Sequence, residues 1–286
     1  MPARLGILAG SGRLPRLIAD FCAENRRAFF IIGFQGHANP ADYAGLPFEQ
    51  IRLGAVGAVL AALRREGVGE VVMAGGIRRP GLAELRPDGA ALRFLLKSGA
   101  LTLGDDALLT AVTRYLEEEH GFRVVGADSL LGQSLSTPGP LGACKADASA
   151  RRDLGKGRHI LGITGPADIG QAVAVQDGLV LGLEAIEGTD ALLERCGGLR
   201  RAGPGPVLVK MRKPGQNRRV DLPAVGPETL RAAAAAGFRG IGIDAGGMMF
   251  LDRAATIREA DRLGLFMEAL EPLQAPSATC LPADDR

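Results

Sequence analysis

Two adjoining charge blocks are the first feature of this chain that could do chemistry. Between His159 and Glu194 there is no Lys or Arg, while Asp168, Asp177, Glu184, Glu187, Asp190 and Glu194 supply six negative charges. From Arg195 to Val220 there is no acid, and Arg195, Arg200, Arg201, Lys210, Arg212, Lys213, Arg218 and Arg219 supply eight positive ones. Carboxylates can hold a hard divalent cation such as magnesium or manganese, and Lys or Arg can neutralise phosphate oxygens, so this order suits metal-assisted chemistry on a phosphate. Two complementary surface strips that pair with each other would give the same pattern. Asp221 is the first acid after the basic block. A carboxylate among cations stays ionised at neutral pH, free to ligate a metal or orient a water, or else simply paired with Arg219.

Glycine-rich turns form a second group of candidates. Ala9-Gly10-Ser11-Gly12-Arg13-Leu14-Pro15 follows a strand-like run and opens a helix-like one, where backbone N–H groups of Ser11 and Gly12 could approach an anion. Ala74-Gly75-Gly76 ends another strand-like run, and either loop could instead be a tight turn that needs positive φ. The first loop is half a dinucleotide fingerprint. Its third glycine is missing and Gly33-Phe34-Gln35 lacks the acid that would hold a ribose, so neither nicotinamide nor flavin is expected. Asp105 and Asp106 precede an apolar helix as a cap or as ligands for a cation. Glu187, Thr189 and Asp190 lie where a strand gives way to a helix, as caps or as metal and ligand contacts, and Gln171 offers an amide side chain to a base or sugar. Lys210 and Arg212 share one face of a strand while Lys213 faces the other way.

These residues need elements to hold them. Residues 5–9, 29–34, 70–74 and 122–125 read as strands separated by helical periodicity over 15–22, 55–65 and 106–118, which predicts a Rossmann-like parallel sheet in an amino-terminal α/β domain, residues 1–130. Residues 131–142, with Pro138, Pro140 and three glycines, read as a linker. A carboxy-terminal mixed α/β domain is expected over 143–270: a helix over 148–163, a hairpin turning at Asp177-Gly178, strands over 207–212, 240–244, 248–251 and 265–267, and helices starting at Thr189, Pro227 and Arg253. The last residues, 271–286, read as a disordered tail.

Composition narrows the function. The 286 residues are 47% apolar and 4% aromatic with a net charge of +2, and no aromatic lies between Phe122 and Phe238, which speaks against nucleic-acid binding. The four cysteines have no C-x-x-C spacing and only three histidines accompany them, so zinc and a disulfide framework are not expected. Apolar runs fall far short of a membrane span, and residues 5–8 follow the start with no cleavable leader, so a cytoplasmic protein is expected.

Seven segments in order carry a family resemblance: GSGRLP (10–15), AGGIRRP (74–80), GDDALL (104–109), DIGQA (168–172), EAIEGTDALL (184–193), KMRKP (210–214) and VDLPAVGP (220–227). The chain resembles the LpxI-type UDP-2,3-diacylglucosamine pyrophosphatases from about residue 5 to 267. The resemblance implies two α/β domains and hydrolysis of UDP-2,3-diacylglucosamine, with a divalent cation, to UMP and 2,3-diacylglucosamine 1-phosphate in lipid A synthesis. It implies that Asp221, the acid of the V-D-L-P motif, is catalytic, accepting a proton from water or holding the cation. Ser11, Gly12, Gly75, Gly76, Gln171, Thr189, Lys210 and Lys213 are by the same similarity contacts to nucleotide, phosphates and sugar. Gln216-Asn217 and Asp244-Ala245-Gly246 stand where relatives often have an acid after Gln and Glu-Ala-Gly. The implied substrate needs an apolar place for its chains, for which residues 91–103 are the candidate, and implies a peripheral contact with the cytoplasmic face of the inner membrane. The same loops and basic strand would also serve a non-catalytic UDP-sugar or lipid-binding protein, and the first loop alone a dinucleotide-dependent oxidoreductase.

Overall fold

The computed structural model describes residues 3–78, 81–99, 105–131, 137–214, 223–250 and 252–273; for residues 82, 83, 105 and 106 it describes the backbone alone. The described residues up to Leu131 form one compact unit and those from Thr137 on a second.

The first unit runs β1 Arg4–Ala9, α1 Leu14–Glu24, β2 Phe29–Phe34, β3 Phe48–Ile51, α2 Val56–Arg65, β4 Val68–Ala74, α3 Leu82–Leu85, α4 Gly89–Ser98, α5 Asp105–Arg114, β5 Arg123–Val124 and α6 Ala127–Leu131. Its strands pair in parallel in the order β3-β2-β1-β4-β5. That order reverses direction at β1, and the crevice at such a reversal, outside the strands' carboxyl ends, is where open α/β sheets take ligands. β1 and β2 are buried on both faces and so read as unbroken apolar runs. β3 carries little signal in the sequence because FEQI is short, half polar and at the sheet's edge, with only Ile51 buried.

The second unit runs β6 Gly139–Leu141, α7 Ala148–Thr164, β7 Ala172–Gln176, β8 Leu179–Leu183, α8 Gly188–Gly198, β9 Val207–Lys210, β10 Ala224–Val225, α9 Pro227–Ala235, β11 Gly240–Asp244, β12 Met249–Phe250, α10 Arg253–Leu263 and β13 Phe266–Leu270. The main sheet has the order β6-β13-β11-β9-β7-β8, and β10 pairs with β12 apart from it. The segment expected to be a linker, 131–142, therefore contains part of the second unit, since residues 139–141 pair antiparallel with β13. Pro140 lacks an N–H and looks like a break, yet an edge strand needs hydrogen bonds on one side only. Alternation sorts the side chains: Val173, Val175, Val207 and Val209 pack with Leu154 and Leu161 of α7, while Ala172, Ala174, Leu208, Ile241 and Ile243 pack with Leu192, Leu230 and Ala260 of α8, α9 and α10.

One buried carboxylate fastens this unit. Asp153 of α7 is 1% exposed and accepts from the amides of Asp177 (3.0 Å) and Gly178 (2.7 Å), which form the β7–β8 turn, and from Arg239 Nη2 at 3.1 Å. Asp177 and Gly178 both adopt positive φ, 49° and 75°, as a two-residue hairpin turn requires.

Candidate functional site

Strand polarity decides which candidates meet. β9, β11 and β13 are parallel, β7 runs against β9, and β8 against β7. The ends of β8, β9 and β11 and the start of β7 therefore lie along one edge. In register, Ala172 faces Lys210 and Ile243 faces Lys210 from the other side, which brings Gln171, Glu184, Lys210 and Asp244 to that edge from four strands.

Backbone bonds fix the edge. The Met211 amide donates to the Gln171 carbonyl at 2.9 Å, the Glu184 amide to the Ala172 carbonyl at 2.8 Å, and the Arg212 amide to Asp244 Oδ2 at 3.2 Å. Asp244 is buried at the end of β11, and Lys210, also buried, donates Nζ to the Ala224 carbonyl at 3.4 Å. Lys213 pairs with Asp168, which sits in the left-handed region at φ 58° after α7.

Glu184, read from the sequence as one acid of the acidic block and the start of the EAIEGTDALL segment but given no role of its own, is central here. It is 5% exposed; Oε2 accepts the Gln171 amide at 3.0 Å and Oε1 accepts the Thr189 hydroxyl at 2.8 Å. Thr189 is thus not the cap it resembles: α8 starts one residue earlier, and the hydroxyl proton is given to Glu184, leaving the oxygen's lone pairs for a donor. The available signal is period two, since Gly182 and Glu184 share the buried side of β8, where a side chain at 182 would strike Cys196.

Of the acids offered as metal ligands, the side chains of Glu187 and Asp190 are described. Glu187 Oε1 holds Arg195 Nη2 at 2.7 Å and Oε2 accepts the Ala185 amide at 3.0 Å; its own backbone amide and Arg195 keep the carboxyl below its usual range. Asp190 lines a groove between α8 and α9 with Leu193, Ala232 and Ala236. Among the described residues no three His, Cys, Asp or Glu side chains gather as a cation cage. Asp221 and the side chain of Asp105 lie outside the described residues. Lys213–Asp168 and Arg195–Glu187 also show that the two charge blocks do pair with each other at two points.

In the first unit the two glycine loops close on one another. The Ser11 amide donates to the Gly76 carbonyl at 2.8 Å, the Gly76 amide to the Ser11 carbonyl at 3.0 Å, and Ser11 Oγ to the Gly76 carbonyl at 3.0 Å. A Cβ at Gly10 would collide with Gly76, and one at Gly75, where φ is 87°, with Ser11. The glycines thus permit this close zip, and the Ser11 and Gly76 amides are engaged in it. Both loops remain exposed at the carboxyl ends of β1 and β4, beside the start of α1. On α4, Leu92 and Leu96 stand in solvent four residues apart; Leu101 and Leu103 of the expected apolar segment lie outside the described residues. The thiols of Cys22 and Cys196 are buried and pushed up by burial, packing groups rather than ligands.

The family model for the LpxI N-terminal domain matches residues 4–134, and that for the LpxI C-terminal domain matches residues 137–268. The chain is 38% identical over 280 residues to the UDP-2,3-diacylglucosamine pyrophosphatase LpxI of Caulobacter vibrioides, covering 96% of this chain and 99% of that protein. Among solved structures, the precorrin-6A reductase CobK aligns over 98% of this chain and 91% of its own at 14% identity and a TM-score of 0.33. The UDP-glucose 4-epimerase of Thermus thermophilus, complexed with NAD, aligns over 95% and 89% at 16% identity and a TM-score of 0.31. Scores this low carry no argument about this chain.

Proposed function

The chain belongs to the LpxI family, and from that premise we infer that it hydrolyses the diphosphate of UDP-2,3-diacylglucosamine to UMP and 2,3-diacylglucosamine 1-phosphate, a step of lipid A synthesis. The observation that carries this reading is the match over both domains and nearly the full length of a pyrophosphatase. Hydrolysis of a diphosphate needs charge neutralised on its oxygens while one water is aligned with the scissile bond. Lys210 and Lys213 are our candidates for the first task and Asp221 for the second, as acceptor of the water's proton. Thr189 and Gln171 orient the nucleotide or sugar, Thr189 as an acceptor from a ligand N–H or hydroxyl because its own proton is held by Glu184. Ser11, Gly12, Gly75 and Gly76 are proposed as further substrate contacts, and the exposed Leu92–Leu96 face of α4 as the place for acyl chains.

Magnesium or manganese is proposed as the cation. Magnesium asks for only one or two carboxylates beside phosphate oxygens, so the lack of a cage among the described residues fits a cation brought in on the diphosphate, with Asp221 as its protein ligand. Such a cation neutralises phosphate charge and makes a bound water more acidic. No helix among the described residues is long and apolar enough to cross a membrane, and a peripheral contact with the cytoplasmic face of the inner membrane is proposed on the lipid nature of the substrate.

The test is incubation with UDP-2,3-diacylglucosamine followed by chromatography for UMP and the lipid phosphate. Both products are expected in equal amounts, and chelation of divalent cations is expected to slow release at least about a hundredfold, restored by magnesium or manganese. Binding of the substrate with no release of UMP under any cation would leave a carrier rather than an enzyme. Glu184→Gln is expected to raise KM about tenfold with kcat nearly kept, because the substituted amide presents a donor to groups that already donate. An unchanged KM would remove Glu184 from its positioning role.

A further inference from the structure

The Lys213–Asp168 pair differs in its setting from the other contact between the charge blocks. Arg195 and Glu187 meet near solvent, their side chains 46% and 28% exposed, whereas Lys213 is 11% exposed and Asp168 29%. The stem of Lys213 is covered, and its ammonium donates to Asp168 Oδ1 beside the edge that carries Gln171, Lys210 and Asp244.

The backbone at residue 168 does not ask for a carboxylate. Asp168 closes the short turn 165–167 at φ 58°, with its amide donating to the Gly165 carbonyl at 3.0 Å. Aspartate tolerates this left-handed region better than most L residues, but glycine adopts it at no cost, as Gly170 does two residues on at φ 52°. A side chain kept at such a position has its use in what it holds. The turn comes within reach of Lys213 because the end of α7 closes on the basic segment: a Cβ on Gly165 would stand 2.8 Å from Cδ of Pro214. The main chain of that segment is fixed separately, by the Met211 amide on the Gln171 carbonyl and the Arg212 amide on Asp244. Asp168 fixes the far end of the flexible Lys213 side chain.

We propose that Asp168 is a positioning residue for the hydrolysis, holding the Lys213 ammonium where it meets the diphosphate of the substrate. The proposal rests on the reading that Lys213 neutralises phosphate oxygens. A loose lysine loses rotamer freedom when it takes hold of a ligand, whereas one already held lost that freedom on folding. An ammonium has three donors, so one can stay on Asp168 while the others face phosphate. The benefit is the same for bound substrate and transition state, and it therefore belongs to KM rather than kcat.

The experiment compares Asp168→Gly, Asp168→Asn, Lys213→Ala and the double variant Asp168→Gly with Lys213→Ala. Three readouts are taken: KM and kcat for UMP release, Kd for UDP-2,3-diacylglucosamine in a chelator that halts turnover, and the urea midpoint. Asp168→Gly is expected to raise KM and Kd at least about fivefold with kcat within about twofold of the parent, while its urea midpoint stays close to parental because glycine suits the turn. Asp168→Asn, which keeps an acceptor and loses the charge, is expected to fall between the two, and it decides the matter should the glycine variant fold poorly. The double variant is expected to match Lys213→Ala alone, since Asp168 acts through that ammonium. Parental KM and Kd in both Asp168 variants, values below parental, additive losses in the double variant, or a parental KM for Lys213→Ala each overturn the proposal. Absence of UMP release by the parent would overturn the assigned reaction instead, and the Kd series then decides the role of Asp168 by itself.

Discussion

Replacing Asp221 with alanine is expected to lower kcat between about a hundredfold and ten-thousandfold while KM stays within about threefold of the parent. The residue is the first acid after eight cations, and it lies in the V-D-L-P motif by which the chain resembles its family. A carboxylate that takes a proton from the attacking water acts in the transition state and hardly at all on bound substrate, so its loss lowers kcat and kcat/KM together. Asp221→Asn is expected to behave like the alanine variant, since the amide keeps the shape and loses both basicity and charge. Asp221→Glu is expected to recover part of the rate. Lys210→Ala provides the contrast: in its proposed place beside the diphosphate, this buried ammonium would bind ground state and transition state alike, so KM should rise with kcat nearly unchanged. UMP release measured at saturating and limiting substrate distinguishes the two patterns. Near-normal kcat with a raised KM for Asp221→Ala would make the residue a binding group.

Asp153→Ala is expected to destabilise the second unit by about 3–5 kcal/mol, a large share of the stability of an ordinary domain. The substitution strands two amides of the β7–β8 turn and takes from Arg239 its buried charged partner, leaving the Ser149 hydroxyl and Asp147, whose side chain is mostly in solvent. Buried groups that lose a charged partner are costly because the remaining charge is still out of water. The midpoint of urea unfolding followed by a probe in this unit should fall sharply for Asp153→Ala and less for Asp153→Asn, which keeps one acceptor. A loss below about 1 kcal/mol would show that the turn and Arg239 find water instead. The same variants assayed at low temperature should retain turnover, since Asp153 lies at the opposite end of β7 from Gln171.

Much of the architecture is written in local pattern. The doubly buried strands β1 and β2 show as apolar runs, Asp177-Gly178 marks its hairpin, and Pro227 marks the first turn of α9, because each depends on neighbours within a few residues. Edge elements escape for the opposite reason. β3 and β6 bury little and bond on one side, so FEQI and GPL carry no strong period, and the stretch containing Gly139–Leu141 looks like a linker. The candidate site divides in the same way. Lys210, Lys213, Gln171 and Thr189 can be named from residue type and family motif, whereas Glu184 gains its place only when β7 and β8 are paired and its two oxygens meet the Gln171 amide and the Thr189 hydroxyl.

The sequence by itself determined the α/β class, the pair of charge blocks and the family to which the chain belongs, since all three reside in residue types and their order along the chain. Only the tertiary structure decided which charges neutralise one another, as Glu187 does with Arg195 and Asp168 with Lys213, and which side chains arrive at one edge from four strands. Those outcomes depend on strand register and polarity, set by packing between residues far apart in the chain, and electrostatic energy depends on distance through space rather than on separation along the sequence.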